Sequence, residues 1–178
     1  MSNLEKIIKT KTVFTVKDLK KILDTDNEGS IRNYLSRAKK ETLKSIYGIW
    51  IFKKFDNFEF ASKLKDKSYI SLETALQKYI IFQDYSHTVT SVSNNSIKQV
   101  ETYFEYKKIK DDILYNPLII NKNYMIASKE RALCDIIYLK SGFTFDNLKS
   151  IDIEKLEEIS QIYNKRTILE IKKIIKNA

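Results

Sequence analysis

Apolar positions recur at helical spacing three times in the first forty residues, then switch to short β-prone runs. Leu4, Ile7 and Ile8 stand at i, i+3, i+4 behind a Ser2–Glu5 pair with capping-box spacing, which predicts a short first helix to about Lys11. Val13 and Phe14 read as an apolar bridge. Thr15 and Asp18 repeat the box, and Val16, Leu19, Ile22 and Leu23 mark one face of a second helix. Asp24–Gly29 holds residues that turn well and extend helices poorly. Ser30 is placed to cap a third helix, with Ile31, Tyr34, Leu35 and Ala38 turned inward. The runs Leu43–Ile46 and Ile49–Phe52 flank Tyr47-Gly48 and predict a hairpin, where Gly48 can take positive φ without strain.

Beyond the hairpin the period changes again. Phe55–Ser68 is polar with interleaved aromatics; Phe58, Phe60 and Leu64 are expected to pack and the lysines to be solvated. Ser71 is placed to cap a helix with Leu72, Ala75, Leu76, Tyr79 and Ile80 inside. Residues 87–92 and 100–109 alternate and read as two strands; 118–120 and 124–127 read as a hairpin around Asn121-Lys122-Asn123. Ser128 caps a helix carrying Leu133, Ile136 and Ile137 inward, ended by Ser141-Gly142. The tail reads as helical: Leu148 and Ile151 in one short helix, Leu156, Ile159 and Tyr163 in another. Thr167 and Glu170 box the last, over the stripe Ile168, Ile171, Ile174 and Ile175. The inventory predicts an α+β fold: an N-terminal winged helix-turn-helix over 1–60, then a C-terminal α+β domain over 61–178 with a small sheet and a helical end.

Charge sharpens the first of these units. The net charge of +9 favours an anionic partner such as nucleic acid, although a chain rich in Ile, Lys and Asn also fits the composition of an A+T-rich genome. The distribution is more telling. Ser30–Lys54 holds seven basic side chains and one acid. On the third helix, Asn33, Ser36, Arg37 and Lys40 oppose the apolar stripe, flanked by Arg32 and Lys39, with no acid among them. A solvated face would mix its signs. Asn33, Ser36, Arg37 and Lys40 are the candidates for base or near-base contacts in the major groove, Arg32 and Lys39 are expected nearer the phosphates, and Lys44, Lys53 and Lys54 at the hairpin ends position the wing on the backbone. The expected double-stranded DNA interface is thus Ser30, Arg32, Asn33, Ser36, Arg37, Lys39, Lys40, Lys44, Lys53 and Lys54.

Candidates for catalysis are sparse. His87 is the single histidine and Cys134 the single cysteine, too few for a zinc site; Cys134 falls among apolar helical positions, where an inert thiol is expected. Asp111-Asp112 and Glu157-Glu158 are adjacent pairs whose side chains diverge, and Glu130-Arg131 is expected to form surface ion pairs. Three glycines cannot build a phosphate-binding loop. No enzyme, metal or cofactor is expected. No window is long and apolar enough for a membrane span, and the N-terminus lacks a signal-peptide core, so a cytoplasmic protein without a membrane partner is expected.

Two segments carry a family resemblance. One is Ser68–Leu76 (SYISLETAL); the other is Met125–Leu139 (MIASKERALCDIIYL), with the aromatic strand Tyr103–Tyr106 between them. Together with the N-terminal pattern, this order resembles the abortive-infection antitoxin family AbiEi of type IV toxin–antitoxin systems. Ser128, Glu130, Arg131, Ala132, Leu133, Asp135, Tyr138 and Leu139 match that family's helix in place. The arginine-rich run that often precedes the aromatic strand in the family is reduced here to Lys98, and the final helices are short. The resemblance implies a winged domain that binds inverted repeats in its own promoter and represses it. It also implies a C-terminal domain that counters a nucleotidyltransferase toxin without a stable complex. A stand-alone regulator with a sensing domain and an enzyme acting on nucleic acid are the rival readings; the missing metal cluster and nucleophile–base pair weigh against the enzyme.

Overall fold

The computed structural model describes residues 11–38, 43–46, 48–52, 54–83, 87–95, 97–100, 103–114, 119–121 and 123–177. The first predicted helix, Tyr47 and Pro117 lie outside them. The chain divides into two compact units, residues 1–66 and 67–178, with helices and strands in both, so it is α+β.

In the first unit, β1 (Val13–Phe14) leads into α1 (Val16–Leu23) and α2 (Glu28–Ala38), followed by the hairpin β2 (Leu43–Ile46) and β3 (Ile49–Phe52) and by α3 (Asn57–Leu64). Val13 and Phe14 are more than a bridge. They pair antiparallel with Ile51 and Trp50 and complete a sheet of order β1-β3-β2. The core is Phe14, Leu19, Ile31 and Leu35, with Val16, Ile22, Leu23 and Trp50 against it. The Thr15–Asp18 box forms in both directions.

Two boundaries differ from the pattern reading. Asn27, not Ser30, caps α2: its Oδ1 accepts from the Ser30 N–H at 3.1 Å, so the helix starts at Glu28 and includes Gly29. As N-cap, Asn27 satisfies one of the free N–H groups of the first turn, that of the third helical residue, Ser30. The polar stretch after the hairpin contains α3, capped by Asp56 through the N–H groups of Phe58 and Glu59. Its Phe60 and Ala61 are buried, and Lys63 is not solvated but donates to Asp18 at 2.9 Å. The buried Glu59 carboxylate accepts from the Thr12 N–H and hydroxyl, each at 2.7 Å, and from the Val13 N–H, and so ties α3 to the start of β1.

The second unit has a six-stranded mixed sheet of order β6-β7-β5-β4-β9-β8. Its strands are β4 (Ser68–Ile70), β5 (Val89–Ser93), β6 (Ile97–Val100), β7 (Phe104–Lys108), β8 (Ile119–Asn121) and β9 (Met125–Ala127). β4 pairs parallel with β9, and β5 parallel with β7; the other pairings are antiparallel. The strand expected over 100–109 forms as β7, and β6, which the pattern reading did not predict, precedes it and ends at Val100. β5 is buried at all five positions, so its Thr and Ser residues need partners, which an alternating strand would not demand.

The helices of this unit are α4 (Leu72–Lys78), the single turn α5 (Asp111–Leu114), α6 (Lys129–Leu139), α7 (Ile153–Ser160) and α8 (Lys165–Asn177). α4 packs on β5 and α6, while α6, α7 and α8 pack on one another. Ile80 is 63% exposed just past α4, not on its inner face. Residues 148–151 form a turn, not a helix, closed by the Ile151 N–H on the Leu148 carbonyl. Asn164, not Thr167, caps α8, accepting from the Thr167 N–H and hydroxyl at 2.9 Å. Arg166 donates to the carbonyls of Ile137 and Tyr138 and closes the C-terminus of α6.

Candidate functional site

The first candidate surface is α2 with the β2–β3 hairpin. Ile31 and Leu35 are buried, which turns Ser30, Arg32, Asn33 and Ser36 outward, and all four are exposed. Arg37 lies in the last described turn of α2 and Lys44 in β2. Lys54 is exposed directly beyond the hairpin. Lys39, Lys40 and Lys53 lie outside the described residues. Gly48 holds φ +75° at the hairpin turn with open space around it.

One expectation about this face is corrected. Because α2 begins at Glu28, an acid shares the helix with the basic residues. Glu28 sits 3.8 Å from Arg32 one turn on and 3.0 Å from Lys20 of α1. Lys20, with Arg32, holds the Glu28 carboxyl below its ordinary range. A groove of about 600 Å³ lined by Val16, Lys17, Lys20, Lys21, Asp26 and Glu28 runs beside this pair. The mixed-sign groove and Arg32 are therefore neighbours, joined through Glu28.

The second candidate is the set of polar residues in the family-like motif, and the structure gives each a place. Ser128 caps α6 through the Arg131 N–H at 3.1 Å. Glu130 and Arg131 are buried, not on the surface as expected. Glu130 accepts from the Asp152 N–H at 3.2 Å and fixes the entry to α7. Arg131 and Asp135, one turn apart, form an ion pair at 3.4 Å with neither side chain exposed. Tyr138 stacks at a tilt on Tyr163, ring centroids 5.7 Å apart.

Asp135 is the hub. Its carboxylate accepts from Tyr69 at 3.0 Å, Ser71 at 2.7 Å and Tyr163 at 2.6 Å. The Tyr69 hydroxyl in turn accepts from Arg131 Nε and Nη2. Arg131 Nη2 also donates to the Ile113 carbonyl, whereas Nη1 has no partner among the described residues. Every group around Asp135 is a donor, which suits an ionised carboxylate. Burial pushes its carboxyl up, and the Arg131 guanidinium and the three hydroxyls pull it back. Burial and the Asp135 charge raise the Tyr69 and Tyr163 phenols well above their usual range.

Ser71 shows what this network costs locally. It stands at the N-cap of α4, yet its hydroxyl makes no capping bond and goes to Asp135 instead. Its N–H donates to the Thr90 carbonyl, continuing the strand pairing, so the chain must turn from strand to helix within one residue. Leu72 absorbs the turn at φ +58°, a region that bulky side chains avoid. A serine on a strained strand-to-helix turn beside a carboxylate has the look of a nucleophile. Here, though, Ser71 and Asp135 are both fully buried, and the arrangement ties β4, α6 and the end of α7 together.

Cys134 is buried beside this hub, and burial raises its thiol well above the usual range. Among the described residues no three His, Cys, Asp or Glu side chains converge as metal ligands, and no helix is long and apolar enough to cross a membrane. Pattern reasoning missed Tyr69, Ser71 and Tyr163 as partners of Asp135. The available signal was a polar residue at the centre of the apolar run 132–137, which must be satisfied from elsewhere. Comparison with protein-family models and with curated protein sequences returns no match.

Proposed function

We propose that the first unit is a winged helix-turn-helix and that the chain is a double-stranded-DNA-binding autorepressor, the antitoxin of a type IV toxin–antitoxin operon. The observation that carries the DNA-binding part is the outward set Arg32, Asn33 and Ser36 on a helix whose opposite face is locked into the core by Ile31 and Leu35. α1 braces α2 through Leu19, and the three-stranded sheet ends in the β2–β3 hairpin that serves as the wing. In this arrangement α2 enters the major groove. Arg32 and Asn33 are suited to bidentate contacts with guanine and adenine edges, while Lys54 meets a phosphate. Glu28, 3.8 Å from Arg32, is the acid that DNA would displace.

Support for the antitoxin part is the resemblance of 68–76 and 125–139 to the AbiEi family. The polar residues of that motif act as framework: they hold α6 to β4 and α7.

The test is retardation of DNA from immediately upstream of the gene. Arg32→Ala with Asn33→Ala should lose about 1–3 kcal/mol per base contact and relax sequence preference, with the circular dichroism spectrum unchanged. Unaltered affinity and preference in that variant would exclude α2 as the reader. Co-expression with a neighbouring nucleotidyltransferase tests the antitoxin part: rescued growth supports it, and growth arrest despite folded protein refutes it.

A further inference from the structure

The outer faces of α7 and α8 are oppositely charged, and neither is neutralised among the described residues. At 3.6 residues per turn, Lys165, Leu169, Lys172, Lys173 and Lys176 fall on one sector of α8 about 100° wide. All five are exposed, Leu169 at 60%. Lys172 and Lys176 are one turn apart, as are Lys173 and Lys176, so the face repels itself. α7 mirrors it. Glu154, Glu157 and Glu158 are exposed on one side, with Ile153 at the edge, 37% exposed. Glu154 faces Glu157 and Glu158 at helical spacing with the same sign.

Two helices that pack on each other could cancel these charges internally. They do not: among the described residues none of the four lysines or three glutamates has an opposite charge within 4 Å. The acids and bases nearer the α6 junction are used up, Arg166 on Glu170 and Lys155 on Asp152, which leaves the outward faces single-signed. An apolar residue at the centre of the basic face and another at the edge of the acidic one give each the make-up of a protein interface, an apolar anchor inside a charged rim. A nucleic-acid backbone has no use for Leu169.

We infer that the second unit self-associates through these faces. A second copy, related by a two-fold axis, sets the acidic face of its α7 on the basic face of α8 and offers its own α8 to the first copy's α7. Each patch is used once on each copy, so the contact closes at two chains and leaves no free end for further growth. Charge complementarity steers the encounter and fixes its register, and Leu169 and Ile153 are desolvated when the faces meet. The inference stands apart from the DNA-binding proposal, since it uses no residue of the first unit.

The test is sedimentation equilibrium of the full chain. At low salt the mass should be twice the 21.0 kDa of one chain. At about 1 M salt, where the screening length is about 3 Å, association should weaken at least tenfold. Lys172→Glu with Lys173→Glu should weaken it about 100-fold, as should Glu157→Lys with Glu158→Lys, because each puts like charges face to face. Combining all four substitutions restores opposite signs across the contact and should recover association to within about tenfold of the parent. Leu169→Ser should weaken it with the charges intact. The substituted positions are exposed, and an unchanged circular dichroism spectrum certifies each fold. A parent chain that stays at single-chain mass at low salt overturns the inference. So does a fourfold variant that stays dissociated. Lost DNA affinity in the lysine pair, with the mass of one chain throughout, assigns the basic face to nucleic acid instead.

Discussion

Arg131 and Asp135 are buried ions whose partners come from β4, from α5 and from the segment after α7. Taking two charges out of water costs more than their attraction returns unless every remaining site is satisfied. Asp135 meets that condition with four donors; Arg131 does not, because Nη1 finds no partner among the described residues. Replacing one member leaves the other charged and buried. Arg131→Met should therefore lose about 3–5 kcal/mol of stability, and Asp135→Leu in the same background should recover much of it, since two apolar side chains need no partners. Urea unfolding followed by circular dichroism measures both. A double variant no more stable than the single would mean that the hydroxyls left by Asp135, and not the unpaired charge, dominate the cost. Tyr69 and Tyr163 would then be the residues that need the carboxylate most.

At the scale of elements, periodicity was most readable where one face is apolar and the other wet. α1, α2, the β2–β3 hairpin, the β8–β9 hairpin and α6 all follow from spacing and turn chemistry. The misses have one cause: tertiary partners that outbid local signals. Val13-Phe14 is too short to announce a strand and becomes one because β3 has a free edge. Ser71 and Thr167 sit at cap-like positions but bond elsewhere or yield to a neighbour. Buried Glu130 and Arg131 read as a surface pair because charge is ordinarily outside. On the outer side of α2, the exposure of Arg32, Asn33 and Ser36 was legible from the helical wheel, whereas Glu28 was hidden by placing the helix start three residues late. The C-terminus of α4 shows the same tension. The Ile81 N–H reaches back to the Leu76 carbonyl and the Ile80 N–H to Gln77, and Ile80 sits between at φ +59°. Glycine is the usual residue at such a stop. A left-handed residue with a Cβ costs about 1–2 kcal/mol. Glycine's extra freedom in the unfolded chain costs about 0.5–1 kcal/mol. With the Ile80 side chain mostly in water, little burial is lost, so Ile80→Gly should stabilise the chain by up to about 1 kcal/mol. Thermal unfolding decides it, and a lowered midpoint would show that the Ile80 side chain contributes packing despite its exposure.

Over the whole molecule, the net charge of +9 is unevenly used. Arg131 and Arg166 are spent holding the second unit together, and Lys63 holds the first. The four lysines of α8 are exposed, as are the three glutamates of α7. In the first unit Arg32 on α2 and Lys54 beyond the hairpin are exposed, as are Lys17 and Lys21 of α1. If the outer side of α2 and the hairpin end read DNA, their members divide by what salt does to them. A lysine that neutralises one phosphate releases one condensed counterion, which is worth about 0.9 in the slope of log affinity against log salt. Lys54→Ala should flatten that slope by about 0.9 and weaken operator and unrelated DNA alike. Asn33→Ala should leave the slope unaltered and shrink the ratio between the two DNAs by about 1–3 kcal/mol. Affinity titrations at several salt concentrations, on both DNAs, separate the two kinds of contact. Equal slopes for Lys54→Ala and the parent chain would remove the hairpin end from the interface and leave α2 to bind alone.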